Sequence, residues 1–184
     1  MTKLLPALLA AVALTACHTQ TSTAPAGADP TMQDTDGIIA RFTRDIWPAV
    51  EGYRFIGGQD SDRARKFRAI TDSSSPVDHD KVISLGKVTN ADGVIVSSPV
   101  NHFGAAGDQG LHLASASLSD HKDSSASVVA CYTYTETFTP IGGEAPETRP
   151  GASEATFILR KTDNWYLSDI INDHAVADCQ SSKA

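Results

Sequence analysis

From Ala126 to Phe138 the side chains alternate without a break. Ala126, Val128, Ala130, Tyr132, Tyr134, Glu136 and Phe138 share one parity, and Ser127, Val129, Cys131, Thr133, Thr135 and Thr137 share the other. A repeat of two is the signature of a β-strand, whose successive side chains point to opposite sides. The run is longer than the usual strand of about five or six residues. With one apolar face and one polar face, it has to sit in a sheet covered on one side.

Other segments supply neighbours and a cover. In Asp36–Trp47, Ile38, Ile39, Phe42 and Ile46 recur at helical spacing, with Arg41, Arg44 and Asp45 on the other face, which predicts an amphipathic helix. Thr35 or Asp36 is placed to cap it, Pro48 to end or kink it, and Gly52 to break it again. Asp60 or Ser61 starts a second short helix bearing Ala64, Phe67 and Ile70, with Arg63, Arg65, Lys66 and Arg68 making it locally basic. Ser73–Pro76 reads as a loop. Strands are then expected at Val82–Val88 and Val94–Val100 around Asn90-Ala91-Asp92-Gly93, at Leu111–Leu118 after a glycine-rich loop Gly104–Gly110, and at Ala155–Lys161 and Trp165–Ile171 around Thr162-Asp163-Asn164. Pro140–Pro150 reads as a loop. One or two helices followed by antiparallel strands predict an α+β domain over residues 36–184, with a curved sheet folded over the helix.

The N-terminal residues have a different character. Lys3 precedes the apolar run Leu4–Leu14, followed by Thr15, Ala16 and Cys17. This is the layout of a signal peptide over residues 1–16. Its end, Leu14-Thr15-Ala16-Cys17, resembles a bacterial lipobox. The resemblance implies that the Cys17 thiol carries a diacylglycerol, that cleavage falls before it, and that the new amine is open to acylation, palmitate included. Two chains suffice for stable anchoring without a membrane span. Residues 17–35 then form a lipidated tether, rich in Thr, Ala, Pro and Asp, with a reach of roughly 20–25 Å. The expected location is the extracytoplasmic side of a cell membrane. With Cys17 used by lipid, Cys131 and Cys179 remain, and an oxidising compartment permits a disulfide between them. The alternatives are two free thiols or a metal site, for which neither Cys has CxxC or Cys/His spacing.

The leading helix, the long late strand and a final hairpin reading ATFILRKTDNWYLSDI are similar to the nuclear-transport-factor-2-like superfamily. That superfamily includes SnoaL-like and ketosteroid-isomerase-like domains and many actinobacterial lipoproteins. The resemblance covers roughly residues 36–173. It implies a cone with a pocket between sheet and helix, in which some members bind apolar ligands and others catalyse. The isomerase-like members use a carboxylate base and an oxyanion hole of Tyr and protonated Asp. The candidates here are Tyr132, Tyr134 and Asp169. Asp169 shares parity with Trp165, Leu167 and Ile171 and so is placed to point inward.

No nucleophile elbow, phosphate loop or GxGxxG stands in the chain. The six His lack metal spacing. His18 lies in the tether, and His79 sits in a loop between Asp78 and Asp80. His102 and His112 flank the glycine loop, His121 lies in a polar turn, and His174 is near the C-terminus. A net charge of −7 argues against nucleic-acid binding. The expectation is a non-enzymatic accessory domain without cofactor or metal, held to the membrane through Cys17, that binds an envelope protein or a small apolar ligand. The alternatives are a small isomerase-like or SnoaL-like enzyme using a pocket Asp and Tyr, and an assembly partner using the sheet face of Thr133, Thr135 and Thr137.

Overall fold

The long alternating segment is the centre of the sheet. The computed structural model describes residues 32–53, 60–74, 77–91, 93–99, 110–138 and 144–180. The chain divides into Met1–Pro30 and Thr31–Ala184, and all described residues fall in the second unit. The signal-like segment, Cys17, His18, most of the tether, Pro76, Asp92, His102 and nearly all of the Gly104–Gly110 loop lie outside them.

In chain order the elements are α1 (Ile38–Arg41), a π-helical stretch (Phe42–Ile46), α2 (Trp47–Tyr53), α3 (Asp62–Ile70), α4 (His79–Ile83), β1 (Val88–Thr89), β2 (Ile95–Pro99), β3 (Leu111–Lys122), β4 (Ser125–Phe138), β5 (Glu147–Lys161) and β6 (Trp165–Ala175). The protein is α+β, with helices packed on a curved, six-stranded sheet. Every ladder is antiparallel, in the order β1-β2-β4-β5-β6. β2 and β3 share one edge of β4: β2 pairs with Glu136–Phe138, and β3 with residues 125–134. An isolated parallel bridge, Thr71 to Leu167, joins the end of α3 to β6. Register shifts in β3–β4 and β5–β6 mark bulges, which bend and twist a sheet.

The even-numbered residues Ala126 to Glu136 of β4 are all buried, as the alternation predicts. The helices fill the concave side above them. Ile38, Phe42, Ile46, Trp47 and Val50 are buried at helical spacing. The Phe42 ring meets Phe157 edge-on at 5.1 Å, and Trp47 lies 5.3 Å from Tyr132 and 5.9 Å from Phe157. Side chains of this size contribute about 1.5–3 kcal/mol each on burial.

Several local expectations change. The N-cap of α1 is Gly37, in the left-handed region (φ 68°), and Asp34, not Thr35 or Asp36, satisfies the first amides: its two carboxylate oxygens accept Ile38 and Ile39 at 2.7 and 2.9 Å. Pro48 neither ends nor breaks the helix. Just before it, the Trp47 amide bonds back five residues to the Phe42 carbonyl. The wider turn shifts the ladder where proline has no donor to offer. Gly52 is the last residue but one of α2, which ends at Tyr53. Ser61 does cap α3, accepting the Ala64 amide. Val82 belongs to α4, whose Asp78 cap accepts the Asp80 amide, so the strand expected from Val82 shrinks to β1. β5 starts at Glu147, inside the expected Pro140–Pro150 loop, and Pro150 pairs with Thr135. β6 reaches back only to Ser153 of β5, so Pro150 has one neighbouring strand and its missing donor breaks no second ladder.

Beyond β6 the tail crosses the convex side. The Val176 amide bonds the Ala152 carbonyl at 3.0 Å. Cys179 forms a disulfide with Cys131 on the outward parity of β4, with Cα atoms 5.5 Å apart. Both sulfurs belong to a small buried cluster with Ala152. Among the described residues, no helix is long and apolar enough to cross a membrane.

Candidate functional site

β4 brings Tyr132 and Tyr134 together on the concave face, ring centres 5.9 Å apart. Tyr132 is fully buried under Trp47, and its hydroxyl donates to the Asp173 carboxylate. Burial, then the Asp173 charge and hydrogen bond, push the Tyr132 phenol far above its ordinary value of 10.0. The group is therefore a hydrogen-bond donor and not a base. The Tyr134 hydroxyl lies 2.8 Å from Ser153 Oγ in a buried pair. Its ring is gripped by two glycines. A Cβ on Gly151, directly across the ladder, would stand 2.5 Å from the ring, and one on Gly86 would stand 3.0 Å from it. Gly86 has a φ of 73°, and its amide donates to Asp173.

Asp169 does not join them. Its Oδ1 takes the Lys81 ammonium at 2.6 Å, with both side chains about two-fifths exposed. Such a surface pair is worth about 0–1 kcal/mol. The displacement follows from the bulges. Leu159 opposes Leu167, but Ile158 opposes Asp169, so β6 carries one extra residue and its parity flips. A second shift follows between Glu154 and Thr156, near Asn172, whose φ is 56°. The two flips turn Asp169 and Ile171 away and return Asp173 to the Tyr132 side. Asp173 is thus the carboxylate that the phenol meets, at an exposed position on the rim. In the sequence, Asn172 was the available signal, because Asn tolerates the left-handed region.

The convex face has its own concavity. A cleft of about 390 Å³ is lined by His112, Thr133, Thr135, Pro150, Ala152, Ala177 and Asp178, among others. The ladders explain it: His112, Thr133 and Ala152 form a row across β3, β4 and β5, with Thr135 and Pro150 paired one step on. Ala177 and Asp178 form the far wall, next to the disulfide at Cys179. Its lining mixes the Thr hydroxyls, the imidazole and the carboxylate with the apolar Pro150, Ala152 and Ala177.

The other His among the described residues serve as contacts. His79 opens α4 instead of lying in a solvated loop. Its Nδ1 is 2.7 Å from the Tyr53 hydroxyl, and its ring meets Tyr53 and Phe67 edge-on. His121 belongs to β3 and packs on Trp165 at 5.7 Å, with Nε2 3.8 Å from Asp36. His174 Nδ1 is 2.8 Å from the Asn172 carbonyl oxygen. No group of three or more His, Cys, Asp or Glu able to hold a metal occurs among the described residues. A buried polar knot also escaped sequence reading: Glu136, inside the sheet, accepts Ser97 and Arg149, and the Arg149 guanidinium lies 3.9 Å above the Phe138 ring. No family model, no curated protein and no solved structure matches this chain.

Proposed function

We propose that this chain is a lipoprotein of the extracytoplasmic membrane face, anchored through Cys17. Its domain is nuclear-transport-factor-2-like or SnoaL-like and works as a non-enzymatic accessory that binds an envelope protein or a small ligand. The observation that carries the binding assignment is the contrast between the two faces of β4. Phe42, Trp47 and Val50 occupy the concavity where the resembled superfamily keeps its pocket, and both phenols are engaged in packing. The convex face instead keeps a cleft, with a wall set by a disulfide. That bridge also supports the anchor reading, because it leaves Cys17 as the one cysteine for lipid.

Mass spectrometry of protein extracted from membranes tests the anchor. The expected N-terminal peptide begins at Cys17 and carries acyl chains; an unmodified peptide spanning residues 1–17 overturns it. For the binding face, Thr135→Arg should abolish capture of a partner or ligand without changing stability, and full retention overturns the assignment. The Tyr132–Asp173 pair favours one rival, the isomerase-like enzyme. On that reading Asp173→Asn removes turnover of an apolar ketone, whereas the accessory reading expects no turnover in either form.

A further inference from the structure

The turns at one end of the sheet enclose a second cleft of different chemistry. It measures about 360 Å³ and is lined by Asp72, Ser124, Ser125, Arg160, Lys161 and Thr162, with no apolar side chain among them. The walls are tied together. The Lys161 amide bonds the Ser124 carbonyl at 3.0 Å, and Ser125 pairs with Arg160 across the β4–β5 ladder. Asp72 is held in place by the Ser74 amide and hydroxyl at 2.8 and 2.7 Å. Those bonds, followed by the Arg160 charge, hold its carboxyl below the ordinary 3.8, so it is ionised.

Arg160 therefore shares the cleft with the Asp72 carboxylate, while the Lys161 ammonium turns to Asp36 and the Trp165 ring. The Thr162 hydroxyl gives its proton to Asp163 at 2.9 Å, which leaves Arg160, Ser124 and Ser125 as the donors for an anion. Lys161 spends one of its three N–H donors on Asp36, at 2.6 Å. The guanidinium fork of Arg160 matches a phosphate. A bare phosphate would be repelled by Asp72, and a bare amine by Arg160. A molecule that carries both groups a short distance apart meets each with its opposite.

We propose that this cleft binds an aminophosphate zwitterion, the phosphoethanolamine headgroup of a membrane phospholipid, with phosphate on Arg160 and ammonium on Asp72. Its place in the fold suits that ligand. Asp36, which bonds Lys161, immediately precedes α1, so the chain enters the domain beside the cleft. A tether of that composition has a reach of roughly 20–25 Å, so an anchor at Cys17 keeps headgroups within range of the domain. The membrane source rests on the anchor reading; the zwitterion chemistry does not.

Full-length protein in detergent, titrated calorimetrically with O-phosphoethanolamine, inorganic phosphate and ethanolamine, tests the chemistry. Phosphoethanolamine should bind at least about tenfold more tightly than either fragment. Arg160→Gln should weaken it about tenfold, and Asp72→Asn should remove its advantage over phosphate. Equal binding of phosphate and phosphoethanolamine, binding of none of the three, or an unaltered preference in Asp72→Asn would each overturn the site. Reconstitution tests the source. Soluble phosphoethanolamine should be excluded in phosphatidylethanolamine vesicles and accepted in phosphatidylglycerol vesicles, and acceptance in both overturns the lipid assignment. A successful titration with Cys17 found unlipidated keeps the zwitterion site and removes only its membrane source.

Discussion

The two faces of β4 carry opposite burdens. On the concave face, Ala126, Val128, Ala130, Tyr132 and Tyr134 are buried beneath helices. On the convex face, Thr133 and Thr135 border a cleft, and among the described residues the tail beyond β6 lies over the strand. One face is used up in making the fold, and the other is held open by a covalent strap. A domain of this size has few large apolar groups to spare, so a pocket beneath the helices would be opened at the expense of the core. A cleft on the outer face removes no core side chain. The way to break the comparison is to injure each face separately.

The largest effect is expected on the concave side. Phe157 is fully buried between Phe42 and Trp47, and Phe157→Ala should cost about 3–5 kcal/mol in denaturant unfolding. Thr135→Ala, on the exposed convex side, should stay within about 0.5 kcal/mol. Comparable losses from the two would mean that the convex face is also core.

Next comes the strap. The disulfide closes a span of 48 positions, and replacing Cys131 and Cys179 together by Ser should cost roughly 4 kcal/mol on the chain-entropy account. The sharper readout is local. Hydrogen exchange at Val176, whose amide bonds Ala152, should accelerate well beyond that at Val128 in the core of β4. Uniform acceleration would show that the strap stabilises the whole domain and not the cleft wall in particular.

What could be read from the sequence followed the same division. The concave parity of β4 was legible because a sheet buried on one side writes its period directly into residue type. The Cys131–Cys179 bridge was legible because few cysteines remain to pair. The start of β5 was hidden by Pro150, which sits where β5 has a neighbour on one side only. α4 was hidden by its length, five residues with one buried apolar group, Val82. Of the site, both phenols were legible and their carboxylate was not. A period of two assigns Asp169, Ile171 and Asp173 to one face, and bulges, which no residue type announces firmly, turn the first two away. The convex cleft was unreadable for a different reason: its wall comes from Ala177 and Asp178, brought over Thr133 and Thr135 only by the tail's return across the sheet.

The smallest expected effect tests the seam between helix layer and sheet. Asp36 stands just before α1 and takes the Lys161 ammonium of β5 at 2.6 Å, with His121 of β3 at 3.8 Å. The Lys161 hydrogen bond, with smaller help from the Lys161 and His121 charges, holds its carboxyl below the ordinary 3.8. A carboxylate whose folded value is depressed favours the native state above its unfolded value, and that contribution is lost as the pH falls through the folded value. Wild type and Asp36→Asn should therefore differ slightly in Tm at pH 7, and the gap should close below about pH 3.8. Salt should narrow it as well, because the pair is exposed and screened. A gap that persists unchanged into acid would mean that Asp36 holds the seam by shape or neutral hydrogen bonding and not by its charge.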